Sequence, residues 1–146
     1  MDELPVIDEG SVVVGVDDSD NARRALEWAA AEARLRDVPL VAVMAWEYPL
    51  SGLGVAPADA DPVDPVALVR ERLAAVVDSA IGADHGVTVR LEPVFGPPGK
   101  VLVGLGARAS MLVIGRRGRG GISRFTLGSA ADHVTKHAEC PVVILH

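Results

Sequence analysis

Residues 111–121 read MLVIGRRGRGG, a short apolar run that passes directly into a loop with four glycines. Apolar runs of this length between turn residues are typical of strands that are buried on both faces of a sheet. A predicted helix, Ser129–Lys136, follows the loop. The segment therefore predicts a strand, a glycine-rich loop and a helix in succession, as in a parallel α/β sheet.

The same alternation extends to both ends of the chain. The predicted strands are, in order, Ser11–Asp17, Leu40–Trp46, Thr88–Val94, Met111–Ile114 and Val142–Leu145. Apolar residues at helical spacing predict four intervening helices. These are a helix through Ala22, Ala25 and Leu26 that ends near Asp37, a helix that begins at Pro65, Gly99–Arg108 and Ser129–Lys136. The first helix is preceded by a cluster of N-cap residue types at 18–21.

This order of elements predicts an α/β fold: an open, doubly wound, Rossmann-like sheet of five parallel strands with helices on both faces. Strands that are joined through helices run parallel, and right-handed crossovers place the helices on both sides. A chain of 146 residues fits a single domain, 1–146, and is too short for a TIM barrel of about 250 residues. The long connection 47–64 contains three prolines and is expected to be a flexible loop.

The composition excludes several classes of protein. With 49% hydrophobic and 23% charged residues, the chain is expected to fold rather than to be disordered. No apolar run reaches the roughly 18 residues of a membrane span. The acidic start lacks the pattern of a secretion signal, and the only cysteine, Cys140, cannot form an internal disulfide, so we expect a cytoplasmic location. At 3%, aromatic residues are too few for stacking on single-stranded nucleic acid. We therefore expect neither a membrane nor a nucleic acid as partner.

One region of the chain has no acidic residue. The net charge of the whole chain is −6, but residues 93–131 carry six basic and no acidic side chains. An acidic protein with one such basic segment is suited to holding a small anion at one place. The alternative is a basic surface without a ligand.

The glycine-rich loop is the strongest candidate for that anion site. In open α/β sheets, ligands bind beyond the carboxyl ends of the strands. Glycines allow the backbone N–H groups of a loop to surround an anion, and the N-terminus of the following helix attracts negative charge. A plain flexible turn is the alternative. The standard fingerprints fail, because Ser123 stands where a dinucleotide-binding loop needs glycine, and Val101 stands where a P-loop needs a hydroxyl.

The pattern Gly115-x2-Gly118-x9-Gly128-Ser129 resembles the nucleotide-binding signature of the universal stress protein family. The resemblance covers nearly the whole chain: VVVGVDDSDNARRALEWA is similar to the family's first strand and helix, and FTLGSAADHVTKHAECPVVIL to its last helix and strand. The resemblance implies a sheet in the order 3-2-1-4-5. It also implies ATP, with or without Mg²⁺, as ligand and a homodimer formed through the last strand, Val142–Leu145.

The resemblance also implies which residues bind the nucleotide. Asp17 matches the acid that contacts the adenosine portion, with Gly15 and Val16 as backbone positions beside it, and Ala45 matches a backbone contact to adenine. The positions that match the phosphate and ribose loop, lie within it, or begin the helix after it are Gly115, Arg116, Arg117, Gly118, Arg119, Gly120, Gly121, Gly128, Ser129 and Ala130.

Three positions depart from the family pattern. Ala131 stands where the family often has a hydroxyl, which removes one possible phosphate donor. Ser110 replaces the usual acid before the fourth strand, and Gly106 replaces an alanine in the third helix. We expect the last two to affect local stability rather than the choice of ligand.

Several candidate residues also have plainer interpretations. Asp17 could cap the first helix instead of contacting a ligand. His133 and His137 have the spacing of a metal-binding pair, but without a third ligand a solvated helix face is favoured. Cys140 is interpreted as a small buried residue rather than a redox group.

Three function hypotheses remain at this point. The first is an ATP-binding stress-response sensor that is not an enzyme beyond a weak ATPase activity, because no general base can be identified. The second is a homodimeric interaction module that needs no ligand and pairs through its uncharged last strand. The third is an adenylate-handling enzyme related to ATP pyrophosphatases, for which no catalytic group can be found.

Overall fold

The computed structural model describes residues 3–17, 19–48, 64–117 and 127–146. Its elements alternate regularly along the chain: β1 (Val12–Gly15), α1 (Asp20–Arg36), β2 (Leu40–Trp46), α2 (Pro65–Ile81), β3 (Val89–Phe95), α3 (Pro98–Gly106), β4 (Met111–Gly115), α4 (Ser129–His137) and β5 (Val142–Leu145). The five strands form one sheet in the order β3-β2-β1-β4-β5, and every pair is parallel. The predicted α/β class and strand order are confirmed.

Helices cover both faces of the sheet, which explains why its central strands are apolar throughout. Alternate residues of each strand point to opposite faces. Val12 and Val14 of β1 belong to the apolar cluster on the face of α1 and α2, whereas Val13 belongs to the cluster on the face of α3 and α4. All five residues of β4 are buried. The central strands therefore need continuous apolar runs. A sheet with one face exposed to solvent would instead show alternating polar and apolar residues.

Some element boundaries differ from the sequence-based prediction. β1 is shorter than the predicted Ser11–Asp17, although the N–H of Val16 still donates to the carbonyl of Val43 at 2.8 Å. β3 lies one residue further along than Thr88–Val94. α3 ends at Gly106 instead of Arg108, because Arg108 and Ala109 donate to carbonyls three residues back and so close the helix with tight turns.

The start of α1 is fixed by two successive polar side chains. The Oδ1 atom of Asp17 accepts a hydrogen bond from the N–H of Ser19 at 2.7 Å. Ser19 is the N-cap, and its hydroxyl oxygen accepts from the N–H of Ala22 at 3.1 Å. Asp17 therefore holds the turn before α1, and the alternative in which it is the N-cap is wrong.

The two edges of the sheet differ in chemistry. The β3 edge carries Arg90, Glu92 and Pro93, of which the proline has no N–H to offer to another strand. The β5 edge consists of Val142–Leu145, without a charge or a proline. Natural proteins protect edge strands with charges and prolines. Only the β3 edge is protected in this way.

Of the expected flexible loop 47–64, residues 49–63 lie outside the described residues, so the loop stays a prediction. None of the helices in the described ranges is long and apolar enough to cross a lipid bilayer.

Candidate functional site

The candidate site lies at the carboxyl ends of β1 and β4. These strands are neighbours, with Val14 opposite Val113. From β1 the chain crosses to β2 on one side, while β4 lies on the other side, so the order of the strands reverses between β1 and β4. A crevice forms outside the strand ends at such a reversal, and it is the usual ligand site of open α/β sheets.

The end of β1 contributes a backbone that is packed closely and an acid that is already oriented. A Cβ atom at Gly15 would lie 2.9 Å from Cδ1 of Leu102, so α3 approaches β1 closely at this point. Val16 is buried, and the half-buried Asp17 is held by its bond to the N–H of Ser19. The three residues that were predicted to contact adenosine thus lie together at the carboxyl edge.

Arg116 fixes the base of the glycine-rich loop through both of its backbone groups. Its N–H donates to the carbonyl of Leu145 in β5 at 2.7 Å, and its carbonyl accepts from the N–H of Gly128 at 2.9 Å. The two ends of the loop are therefore joined directly, and the first residues of α4 are brought to the end of β4. Gly118, Arg119, Gly120 and Gly121 lie outside the described residues, so their predicted roles stay predictions.

The N-terminus of α4 has no side-chain cap. Gly128 is the N-cap with extended backbone (φ −66°, ψ 164°), and it has no side chain that could accept from the first N–H groups of the helix. Ser129, the first helical residue, is exposed, and Ala130 is half-buried. The uncapped N–H groups and the positive end of the helix dipole favour an anion. One acid lies in the first turn, Asp132, but its carboxylate pairs with Lys136 at 3.0 Å.

Two arginine residues begin the loop that leads to this helix. Arg116 and Arg117 are both half-buried. The Nε atom of Arg117 is shielded from solvent and has no hydrogen-bond partner within the described part of the chain. A buried donor without a partner is costly in free energy, by about 1–3 kcal/mol, and a bound acceptor would remove that penalty. An anionic acceptor placed against this nitrogen would satisfy it.

Ala45 lies on the same side of the sheet as α4. It packs against the apolar cluster that contains Val101 of α3 and Val134 of α4, whereas its neighbour Trp46 packs with α1 and α2. The residue predicted to contact adenine and the predicted phosphate-binding helix thus share one face of the sheet. The structure thus brings the described members of the predicted site to the carboxyl ends of the strands.

The departures from the family pattern have structural reasons. Ala131 is 1% exposed and belongs to the core beneath α4. A hydroxyl there would lie in apolar surroundings, so the expected loss of a phosphate donor has no support from the geometry. A Cβ atom on Gly106 would lie 3.0 Å from Cδ1 of Leu112, and both the N–H and the hydroxyl of Ser110 donate to the carbonyl of Ser11. Both residues thus serve local packing.

The two histidines of α4 and Cys140 were the remaining candidates. The rings of His133 and His137 are 4.5 Å apart between centroids, His133 packs against Gly99, and His137 is exposed. Within the described ranges, no group of three or more potential ligands could hold a metal ion. Cys140 is half-buried, and burial raises the pKa of its thiol, with a smaller opposing effect from a hydrogen bond to the backbone of Leu112.

Sequence reasoning missed one residue at this edge. The Nδ2 atom of Asn21, in the first turn of α1, donates to the carbonyl of Arg117 at 3.3 Å. The sequence places asparagine among N-cap residue types, and nothing local indicates a contact with a residue 96 positions away. The contact also requires that α1 approaches Gly115 closely, and the sequence does not show that approach.

Comparisons with known proteins show the family of this chain. The model of the universal stress protein family matches residues 10–146. Universal stress protein Rv2005c of Mycobacterium tuberculosis is 34% identical over 148 residues, with 92% of this chain and 47% of the relative covered. A universal stress protein of Thermus aquaticus is 29% identical over 142 residues, with 92% and 97% covered. The chain thus spans about half the length of the mycobacterial relative and nearly all of the Thermus protein.

Two similar solved structures contain an adenine nucleotide. A universal stress protein in complex with cAMP is 27% identical with a TM-score of 0.63, and 96% of this chain and 98% of that chain are covered. The universal stress protein from Archaeoglobus fulgidus in complex with dAMP is 25% identical with a TM-score of 0.62, and 96% and 100% are covered. The protein MJ0577, at 16% identity and a TM-score of 0.72, shares the fold.

Proposed function

The chain belongs to the universal stress protein family, and from that premise we propose that it binds ATP and acts as a stress-response sensor with slow or no hydrolysis. The observation that carries the proposal is the uncapped N-terminus of α4, joined to the end of β4 through the bond between Gly128 and Arg116. A polyphosphate suits this place, because its oxygens accept from the helix N–H groups and from the side chain of Arg117.

The base and the sugar of the nucleotide are expected at the same carboxyl ends of the strands. The relatives with cAMP and dAMP support an adenine nucleotide as the ligand class. In this chain, Ala45 would offer its backbone to adenine, and Asp17 would accept from the ribose. The preference for a triphosphate follows from charge, because Arg116 and Arg117 begin the loop before α4 and residues 93–131 contain no acid. Cytoplasmic location is part of the proposal, since the nucleotide must be available to the protein.

Slow or absent hydrolysis follows from the side chains at this edge. Asp17 is the only carboxylate among the predicted site residues, and its Oδ1 already accepts from the N–H of Ser19. Hydrolysis of a phosphoanhydride needs a group that orients and activates water beside the terminal phosphate. Any Mg²⁺ would be held mainly by the phosphates, with Asp17 as the nearest candidate carboxylate. Binding without turnover suits a protein whose conformational equilibrium reports the nucleotide.

Titration calorimetry with ATP tests the proposal. We expect saturable binding by the wild type and an affinity about tenfold or more lower for Arg117→Ala, because a charged hydrogen bond contributes about 1.5–3 kcal/mol. Arg36→Ala is the matched control, since Arg36 ends α1 at the opposite edge of the sheet. A wild type that takes up no adenine nucleotide at millimolar concentration would overturn the proposal. Rapid release of AMP and pyrophosphate would favour the adenylate-handling enzyme instead.

The unprotected β5 edge supports a homodimer as the second part of the proposal. Val142–Leu145 has no charge and no proline, and the strand stands at the end of the sheet. Pairing with the same strand of a second copy would satisfy its outward backbone groups. If the dimer forms in the same amount with and without nucleotide and no nucleotide binds, the chain is a ligand-independent interaction module.

A further inference from the structure

Asn21 connects the first turn of α1 to the loop that follows β4. Its Nδ2 atom lies 3.3 Å from the carbonyl oxygen of Arg117. The contact is possible because Gly115 has no side chain: a Cβ atom there would lie 2.7 Å from Cβ of Asn21 and 3.1 Å from its backbone carbon. The helix start and the strand end therefore touch, and the side-chain amide extends over the end of β4.

The carbonyl that accepts from Asn21 belongs to a backbone segment that is held from three sides. The preceding residue, Arg116, bonds to Leu145 of β5 and to Gly128 at the start of α4. Asn21 adds the only one of these three bonds that comes from a side chain and from the α1 side of the sheet. Without it, the peptide of Arg117 would lose its link to α1.

We propose that Asn21 is a positioning residue of the nucleotide site: it fixes the backbone at Arg117 relative to the N-terminus of α4. This inference rests on the proposed function, in which the side chain of Arg117 and the first N–H groups of α4 bind the same phosphates. Preorganised donors bind an anion more tightly than donors that must be ordered during binding. Asn21 acts through Arg117 and needs no contact with the ligand.

The chemistry of the position requires a neutral donor. A carbonyl oxygen accepts hydrogen bonds, which the amide of asparagine can donate and the carboxylate of aspartate cannot. Asn21→Ala removes the donor without adding charge, and it keeps the Cβ atom that faces Gly115. Asn21→Asp keeps the shape of the side chain. Both replacements are well tolerated in the first turn of a helix, where alanine has high helix propensity and an acid favours the dipole.

Binding of ATP and of adenosine to the same variants tests the proposal. We expect Asn21→Ala to lower the affinity for ATP about fivefold, which corresponds to one ordinary hydrogen bond. The affinity for adenosine should stay within twofold of that of the wild type. Asn21→Asp should lower the affinity for ATP at least as much as Asn21→Ala does, and its Tm should not fall below that of the wild type. Ser19→Ala is the control: it removes the N-cap of the same helix and should lower Tm while the ratio of the two affinities stays unchanged.

Amide hydrogen exchange of the ligand-free protein provides a readout that does not depend on nucleotide. In Asn21→Ala, the N–H of Gly128 should exchange several times faster, whereas the N–H of Val16, bonded to Val43, should keep its rate. Unchanged exchange at Gly128, or an equal loss of ATP and adenosine affinity, would overturn the positioning role. If the wild type bound no ATP, the proposed function would fail, and the exchange rates would still decide whether Asn21 fixes this segment.

Discussion

The Cβ atom that any side chain would add to Gly115 would lie 2.7 Å from Cβ of Asn21, a distance that real Cβ atoms essentially never show. The last residue of β4 and the first turn of α1 are thus in direct backbone contact. This contact brings the end of β4, the start of α1 and the loop before α4 together in one small region. It makes position 115 sensitive to any substitution.

We therefore expect Gly115→Ala to destabilise the protein by about 2–3 kcal/mol, since overpacking of a close contact has costs in this range. The added methyl would meet the backbone of Asn21, which cannot rotate away. Gly15→Ala is the matched control, because its methyl would meet only the flexible end of Leu102 and should cost less than about 1 kcal/mol. Urea unfolding of both variants measures the difference, and equal losses would contradict the explanation.

Ser19→Ala should lower the free energy of unfolding by about 1 kcal/mol, because the hydroxyl oxygen that accepts from the N–H of Ala22 is lost. Ser19→Thr keeps a hydroxyl at the N-cap and should recover most of the stability. Thermal unfolding followed by circular dichroism compares the two variants. A threonine variant as unstable as the alanine variant would show that the cap bond is not the cause.

The thiol of Cys140 should make stability fall in alkaline solution. Burial raises the pKa of this thiol in the folded protein above its ordinary value of 9.0. The unfolded chain therefore loses its proton first as the pH rises, and the folded state loses relative stability between the unfolded and the folded pKa. Well below pH 9 the thiol is neutral in both states, so its contribution there is constant.

Urea unfolding of the wild type and of Cys140→Ala at pH 7 and pH 10 measures this effect. The wild type should lose more stability than the variant between these two values. Equal losses would show that the thiol titrates alike in both states, and a larger loss in the variant would reverse the sign of the argument.

The open edge of β5 leads to a prediction about assembly. The carbonyls of Pro141 and Leu145 accept from β4, so in a parallel ladder the backbone groups of Val142 and Ile144 point away from β4. Ile144→Pro removes one outward N–H and leaves the pairing with β4 in place. We expect a dimer of the wild type at micromolar concentration in sedimentation and a monomer of this variant.

Ile144→Ala is the control for that substitution, because it shortens the side chain and keeps the N–H. It should remain a dimer. A monomeric wild type would exclude the homodimer, and a dimeric proline variant would place the interface on another surface.

The sequence predicted the strand bounds best where an apolar run stands between a proline and a charged or polar residue. β2 and β5 have the predicted bounds, because their apolar runs begin and end sharply. In β3 polar and apolar residues alternate, which gives no sharp start, and its start was misplaced by one residue. The end of α3 was set too late, because the helix ends at Gly106 and the tight turn at 106–109 follows it directly.

Within the candidate site, the predicted positions of Asp17, Ala45 and the start of α4 came from the order of strands and from the family resemblance. Their shared edge could be expected, because the carboxyl ends of parallel strands meet there. The contact of Asn21 with Arg117 could not be expected, since it depends on how closely α1 approaches β4. That the Nε of Arg117 has no partner among the described residues likewise depends on packing that no local pattern encodes.

The contrast between the two margins of the sheet limits how large an assembly can grow. A proline and a pair of opposite charges protect β3 from pairing. A copy that has joined through β5 therefore offers no second unprotected strand to a third copy. Association of two copies around a two-fold axis then stops at a dimer, whereas two unprotected strands per copy would permit open-ended filaments. Replacing Pro93 with a strand-forming residue would remove part of this stop and would leave the chain more prone to fibre formation.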